Sequence, residues 1–161
     1  MHNISRSPLV IGTAVMLACA VSTQSWAEGL KPDTAARMRQ GFMQTQKFQV
    51  AHIAAVSKGK VEFTDETVQR AQNLANLAQI IPDMFAVRSD TEMVEGANAL
   101  PKAWDDAKGR NKIISRLQQE TARLAEVAQQ RDVKALGAQF KRVGKVCKSC
   151  HDDYKKPKAK K

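Results

Sequence analysis

From residue 33 onward, apolar residues recur at steps of three and four and never alternate with period two for long enough to make a strand, so the pattern predicts helices almost throughout. Four are expected. Helix A starts at Asp33, an N-cap behind Pro32, and runs to about Ser57, ahead of the turn-like Lys58-Gly59-Lys60. Helix B starts at Thr64, with Asp65 and Glu66 in its first turn, and repeats apolar residues at Val68, Ala71, Leu74, Ala75, Ala78 and Ile81 until Pro82 ends or bends it. The polar stretch over 88–98 forms the longest connection. Pro101 then occupies the first turn of helix C, which keeps Ile114, Leu117, Thr121, Leu124 and Ala128 on one face. Helix D begins near Asp132 and carries Val133, Leu136, Phe140, Val143, Cys147, Cys150, His151 and Tyr154 on one stripe. The predicted fold class is all-α, an antiparallel four-helix bundle with any bound group near the C-terminal end of the last helix.

Length and composition narrow this to one domain. The chain has 161 residues, 43% of them apolar, enough for one core and short for two. The N-terminus reads as a secretory leader over 1–27: Arg6, an apolar run over 9–21, then Ser25-Trp26-Ala27 as the small-residue cleavage site. The domain then covers 28–161. An uncleaved anchor is the rival reading, but the apolar run is short for a bilayer. A lipoprotein signal at Cys19 lacks the usual leucine three positions upstream, where Met16 stands. Cleavage removes Cys19 and Arg6, which lowers the formal net charge of +10 by one and leaves two cysteines. The expected location is the periplasm, with no stable membrane insertion after cleavage.

The two remaining cysteines carry the chemistry. An exported cysteine pair ordinarily suggests a disulfide, but Cys147-Lys148-Ser149-Cys150-His151 is the attachment pattern of a c-type haem. Cysteines three apart on a helix share a side, so both sulfurs can add to the vinyl groups of one porphyrin, and the adjacent His151 can supply an imidazole as the fifth iron ligand. The expected cofactor is one haem c, held through two thioethers. A thioredoxin-like pair needs a strand before the motif, and only helix precedes it here. A structural zinc site needs four ligands, and the mature chain offers only Cys147, Cys150, His52 and His151 as sulfur or imidazole donors.

At these residues the chain resembles the class II cytochromes c, which include cytochrome c′ and a low-spin, methionine-ligated branch. The resemblance covers nearly the whole mature chain. It rests on the C-terminal Cys147-Lys148-Ser149-Cys150-His151-Asp152-Asp153-Tyr154, on Pro101-x-x-Trp104 opening the third helix, and on Arg39-x-x-x-Met43 followed by Lys58-Gly59. It implies that Met43 faces the distal side of the haem. Cytochromes c′ carry a blocking residue there and stay five-coordinate, whereas members with methionine bind it as a sixth ligand, so Met43 points to the low-spin branch. A thioether is a soft iron ligand, and His/Met ligation raises the potential and suits electron transfer. A core methionine is the alternative, because Met38, Met84 and Met93 are also available. His52 lies nine residues after Met43, about 180° around the helix at about 100° per residue, so both cannot face one haem unless the helix bends; a surface or bundle-seam histidine is the preferred reading.

The resemblance also puts Arg39, one turn before Met43, near a haem propionate, with an exposed arginine as the alternative. Trp104, Phe140 and Tyr154 are read as packing residues, the last two near the haem edge. Where many cytochromes c′ have an arginine four residues after the haem histidine, this chain has Lys155, which lacks the planar guanidinium fork. The functional expectation is a monohaem periplasmic one-electron carrier with His151 and Met43 on the iron. The alternative is a five-coordinate cytochrome c′ that binds nitric oxide or carbon monoxide. No distal acid–base residue for a haem enzyme stands out. Five lysines after Tyr154 favour a redox partner with an acidic surface or an anionic membrane surface, and no nucleic-acid partner is expected, because an exported chain rarely meets nucleic acid and aromatics are not interleaved with the charges. Alanine-rich stripes leave a homodimer through helices A and B open beside a monomer.

Overall fold

The computed structural model describes residues 29–157. The expected leader with its cleavage after Ala27, the alternative signal at Cys19, and Lys158, Lys160 and Lys161 lie outside the described residues. Five helices form: α1 (Pro32–Ser57), α2 (Asp65–Ile80), α3 (Lys102–Asp105), α4 (Ala107–Gln129) and α5 (Val133–Tyr154), with a 3-10 segment at Ile81–Phe85. Among the described residues there is no strand, only an isolated antiparallel bridge between Ala99 and Lys155.

Local chemistry explains where each helix begins. Lys31 caps α1 and Pro32 takes its first turn, where a missing N–H is harmless; Asp33 therefore sits inside the helix, two positions further in than the cap position expected for it. Thr64 caps α2 in a reciprocal box with Thr67. Asp132 caps α5 by accepting the N–H groups of Lys134 and Ala135 at 2.8 and 3.0 Å. Pro82 does not stop the chain but tightens it into the 3-10 segment.

The third expected helix is in fact two. The chain leaves helical geometry at Asp106 (φ −110°, ψ 55°), whose carboxylate accepts the N–H of Gly109 at 3.0 Å and restarts the chain as α4. An aspartate gains more by capping orphan N–H groups than by continuing a helix interior, and here the cap prevails.

The long helices close a ring, α1 against α2, α2 against α4, α4 against α5 and α5 back against α1, giving an antiparallel four-helix bundle. Ile53, Leu74, Ile114, Leu124, Leu136 and Val143 lie in one apolar core, each worth about 1.5–3 kcal/mol of burial. The expected face of the third helix is fully buried. That of α5 needs correction. Leu136, Val143 and Tyr154 are buried and Phe140, Cys147 and Cys150 half-buried, but Val133 and His151 are exposed, and Gln139 and Val146 are buried in their stead. The stripe centres on Leu136, Val143 and Val146, and one step past Cys150 turns the helix about 100° away from it.

Candidate functional site

Cys147 and Cys150 sit one turn apart near the end of α5, both half-buried and both free thiols. Cys147 packs against the core, as do Phe42, Phe85, Ile113 and Phe140. Burial pushes the Cys147 thiol up, and burial together with the Cys147 and Asp153 charges pushes Cys150 up to about 11. His151 is held below its usual range, first by partial desolvation and then by the Lys155 charge, with Asp152 opposing. Its imidazole is therefore neutral at physiological pH, with a lone pair to donate. Two thiols on one helix side beside apolar side chains, followed at once by a neutral imidazole, fit a covalently attached porphyrin. Among the described residues no three His, Cys, Asp or Glu side chains gather as metal ligands, so nothing completes the four-ligand zinc alternative.

The structure puts Met43 on α1, half-buried, with its Sδ accepting a hydrogen bond from the Gln46 amide Nε2 at 3.3 Å. His52 lies at the seam of α1 and α2, its Nε2 3.1 Å from the Thr67 hydroxyl and its Nδ1 3.8 Å from Glu66. It is a bundle-seam residue.

Arg39 is not an exposed arginine: it is 4% accessible. Its guanidinium donates to the Ser89 hydroxyl at 2.8 Å, the Ser89 carbonyl at 2.7 Å and the Met84 carbonyl at 3.2 Å. It also lies over the rings of Phe85 and Trp104, at 5.4 and 5.0 Å. Trp104 is half-buried, donates from Nε1 to the Phe85 carbonyl at 3.0 Å and packs its ring 5.7 Å from that of Phe85. Tyr154 is buried as expected, but its hydroxyl donates to Asp106 Oδ2 at 2.7 Å, a polar role that its place in the stripe did not suggest.

Sequence reasoning missed several residues of this neighbourhood. The connection over 88–98 is pinned at Asp90, which is closed to solvent, accepts the N–H groups of Glu92 and Met93 at 2.9 and 3.2 Å, and pairs with Arg88 Nε at 2.8 Å. Arg110, on the first turns of α4, is buried over the Phe85 ring at 4.9 Å and donates to the Ala103 carbonyl. Asp106, three residues before Gly109, carried a readable N-cap signal; Arg110 carried none, since an arginine at a helix start reads as a solvated charge. A surface hollow between Lys31, Ala36 and Arg37 at the start of α1 and the Met93–Val94 turn holds none of the candidate residues.

Comparison with known proteins points to one family, with relatives described as cytochrome c′ and others as cytochrome c-554. Residues 34–155 match the profile of the family described as Cytochrome C′. The cytochrome c′ of Halomonas halodenitrificans (strain ATCC 12084 / NCIMB 8669) is 32% identical over 130 residues, spanning 78% of this chain and 98% of the relative. Among solved structures, a cytochrome c′ from Rhodobacter spheriodes superposes with a TM-score of 0.74 at 25% identity, covering 80% of this chain and 99% of the other. A ferrous cytochrome c prime variant from Alcaligenes xylosoxidans with bound NO superposes with a TM-score of 0.72 at 28% identity, covering 80% and 98%.

Proposed function

Because the chain belongs to the cytochrome c′ family, whose members carry a covalently attached c-type haem, we propose that it is a monohaem cytochrome that holds its porphyrin through Cys147 and Cys150, ligates the iron through His151 and takes a diatomic gas, nitric oxide or carbon monoxide, on the opposite face. When bound, the haem supplies an iron that can take such a ligand or exchange one electron. The observation that carries this reading is the solved relative with bound NO, which matches over four-fifths of the chain. The Met43 thioether accepts a hydrogen bond from the Gln46 amide, a contact with which ligation of iron would compete. Residues of this chain then do three things. The thiols tether, the neutral His151 imidazole donates its lone pair, and the half-buried Met43 crowds the distal side and limits what can enter.

A second reading keeps the electron carrier with His151 and Met43 on the iron. What favours it is the half-buried thioether one helical turn beyond Arg39, since a methionine released from Gln46 is a competent soft ligand. In either reading Arg39 serves a haem propionate, with the guanidinium N–H groups not spent on Ser89 and Met84 available to it. Both readings describe binding or electron transfer rather than turnover of a substrate. Export by the leader to the periplasm and an acidic redox partner complete the proposal. So does a homodimer across α1 and α2, where Phe48 is 62% exposed.

Absorption spectra of the purified ferric and ferrous protein, followed by carbon monoxide, decide between the two. A high-spin spectrum that shifts with the gas supports the gas-binding reading; a low-spin spectrum that resists it overturns that reading in favour of the carrier.

A further inference from the structure

The imidazole of His151 is exposed and, among the described residues, its side chain takes part in no hydrogen bond. Its orientation therefore comes from the helical turn that bears it, and the question is what fixes that turn. Tyr154 lies three residues on, on the next turn of the same helix, and is 5% accessible. Its hydroxyl donates to Asp106 Oδ2 at 2.7 Å. Asp106 is itself fixed, because its other carboxylate oxygen caps α4 at Gly109.

Main-chain bonds hold the same corner. Leu100 N–H donates to the Tyr154 carbonyl at 2.9 Å, and Lys156 N–H donates to the Asn98 carbonyl at 2.8 Å. Lys102 reaches over the Tyr154 ring at 5.4 Å and to Asp153 at 3.6 Å. Room for the pair exists only because residue 109 is a glycine: a methyl group there would overlap both the Asp106 carboxylate and the Tyr154 hydroxyl. A hydrogen bond between a hydroxyl and a carboxylate is short, strong and directional, so it fixes an angle as well as a distance.

We propose that the Tyr154–Asp106 hydrogen bond is a positioning latch for His151, docking the last turn of α5 on the α3–α4 junction and so setting the direction from which the imidazole meets the iron. Tyr154 and Asp106 act through His151 and are positioning residues. The inference rests on the proposed ligation of haem iron by His151.

The test uses the mature holoprotein and reads the iron–histidine stretching band of the ferrous form by resonance Raman spectroscopy, together with the reduction midpoint. Tyr154→Phe and Asp106→Ala are each expected to shift the band, and the double variant by no more than Asp106→Ala alone, because the Tyr154–Asp106 bond is already lost there; Asp106→Ala also removes the α4 cap at Gly109, so its own shift is at least that of Tyr154→Phe. Asp106→Asn retains a hydrogen-bonding partner for the hydroxyl and is expected to leave the band in place. Leu124→Ala, a core truncation on α4 away from the latch, controls for loss of stability alone and is expected to leave it in place too. If Asp106→Ala yields no holoprotein, Tyr154→Phe against Leu124→Ala decides. A wild-type band in Tyr154→Phe, or additive shifts in the double variant, overturns the latch while leaving the haem reading intact. A colourless mature chain without the mass of an added haem overturns the haem reading itself, and the latch's role with it.

Discussion

Arg39 on α1 donates to both the hydroxyl and the carbonyl of Ser89, at 2.8 and 2.7 Å, and both residues are closed to solvent. One side chain thus stitches the first helix to the connection between α2 and α3, fifty residues away in sequence. Arg39→Ala would leave the Ser89 and Met84 oxygens without their donor and open a gap between Phe85 and Trp104. A loss of about 2–4 kcal/mol is expected, because buried acceptors are stranded and packing is lost together. Urea unfolding of the holoprotein measures it; a loss below about 0.5 kcal/mol, the range of ordinary surface changes, would show that the stitch contributes little.

Asp90 makes stability depend on acid. Burial alone pushes its carboxyl up, but the Glu92 and Met93 N–H groups and the Arg88 guanidinium outweigh that and hold it below its ordinary value of 3.8. A carboxyl with a lowered folded-state pKa contributes stability that is present above the unfolded value and is lost as the pH falls through the folded one. The wild type is therefore expected to lose part of its stability as the pH drops below 3.8. Asp90→Asn should be less stable at neutral pH and show a flatter acid limb. Unfolding curves at a series of pH values check both, and an unchanged acid limb in the variant refutes the assignment.

Gly109→Ala introduces a methyl group where the Asp106 carboxylate and the Tyr154 hydroxyl already meet. Alanine is the better helix former, so propensity alone predicts a gain of about 1 kcal/mol. Overpacking is expected to reverse the sign, to a net loss of about 1–3 kcal/mol. Thermal unfolding of the two proteins side by side reads the sign directly.

Met43→Leu nearly conserves volume, and its effect on stability should stay under about 1.5 kcal/mol. Under the gas-binding reading the variant keeps the spin state of the wild type in both oxidation states and still binds carbon monoxide. A low-spin wild type that turns high-spin on this substitution instead identifies Met43 as the sixth ligand.

Phe48 stands 62% exposed on α1, its ring covered on one side by Arg70 at 4.4 Å. Phe48→Glu should change monomer stability by no more than about 0.5 kcal/mol, as for an ordinary surface site. If copies pair across α1 and α2, the variant elutes at monomer mass while the wild type does not. Light scattering after size exclusion distinguishes them, and equal masses count against pairing through this face.

Much of this molecule could be read along the chain. Periodicity located the helices, because burying one face of a helix writes itself as apolar residues at steps of three and four; α4 carries its core residues where that spacing puts them, whereas α2 buries Thr67 more deeply than Val68 and α5 buries Gln139 and Val146 in place of Val133 and His151. The attachment motif at Cys147, Cys150 and His151 was equally legible, since its chemistry needs fixed residues at fixed local spacing. What the chain did not reveal depends on groups distant in sequence. The Asp106 carboxylate that caps α4 also takes the Tyr154 hydroxyl, 48 residues away, and no local pattern points to that pairing. The burial of Arg39 and Arg110 against one phenylalanine, Phe85, follows from three elements meeting, and no window around either arginine contains that information. Local sequence determined which segments are helical and where a porphyrin is tethered, because those are short-range matters of pattern and reactivity. Tertiary structure alone decided which polar groups became partners inside the fold, because a buried charge or hydroxyl is stable only where a complementary group arrives from elsewhere in the chain.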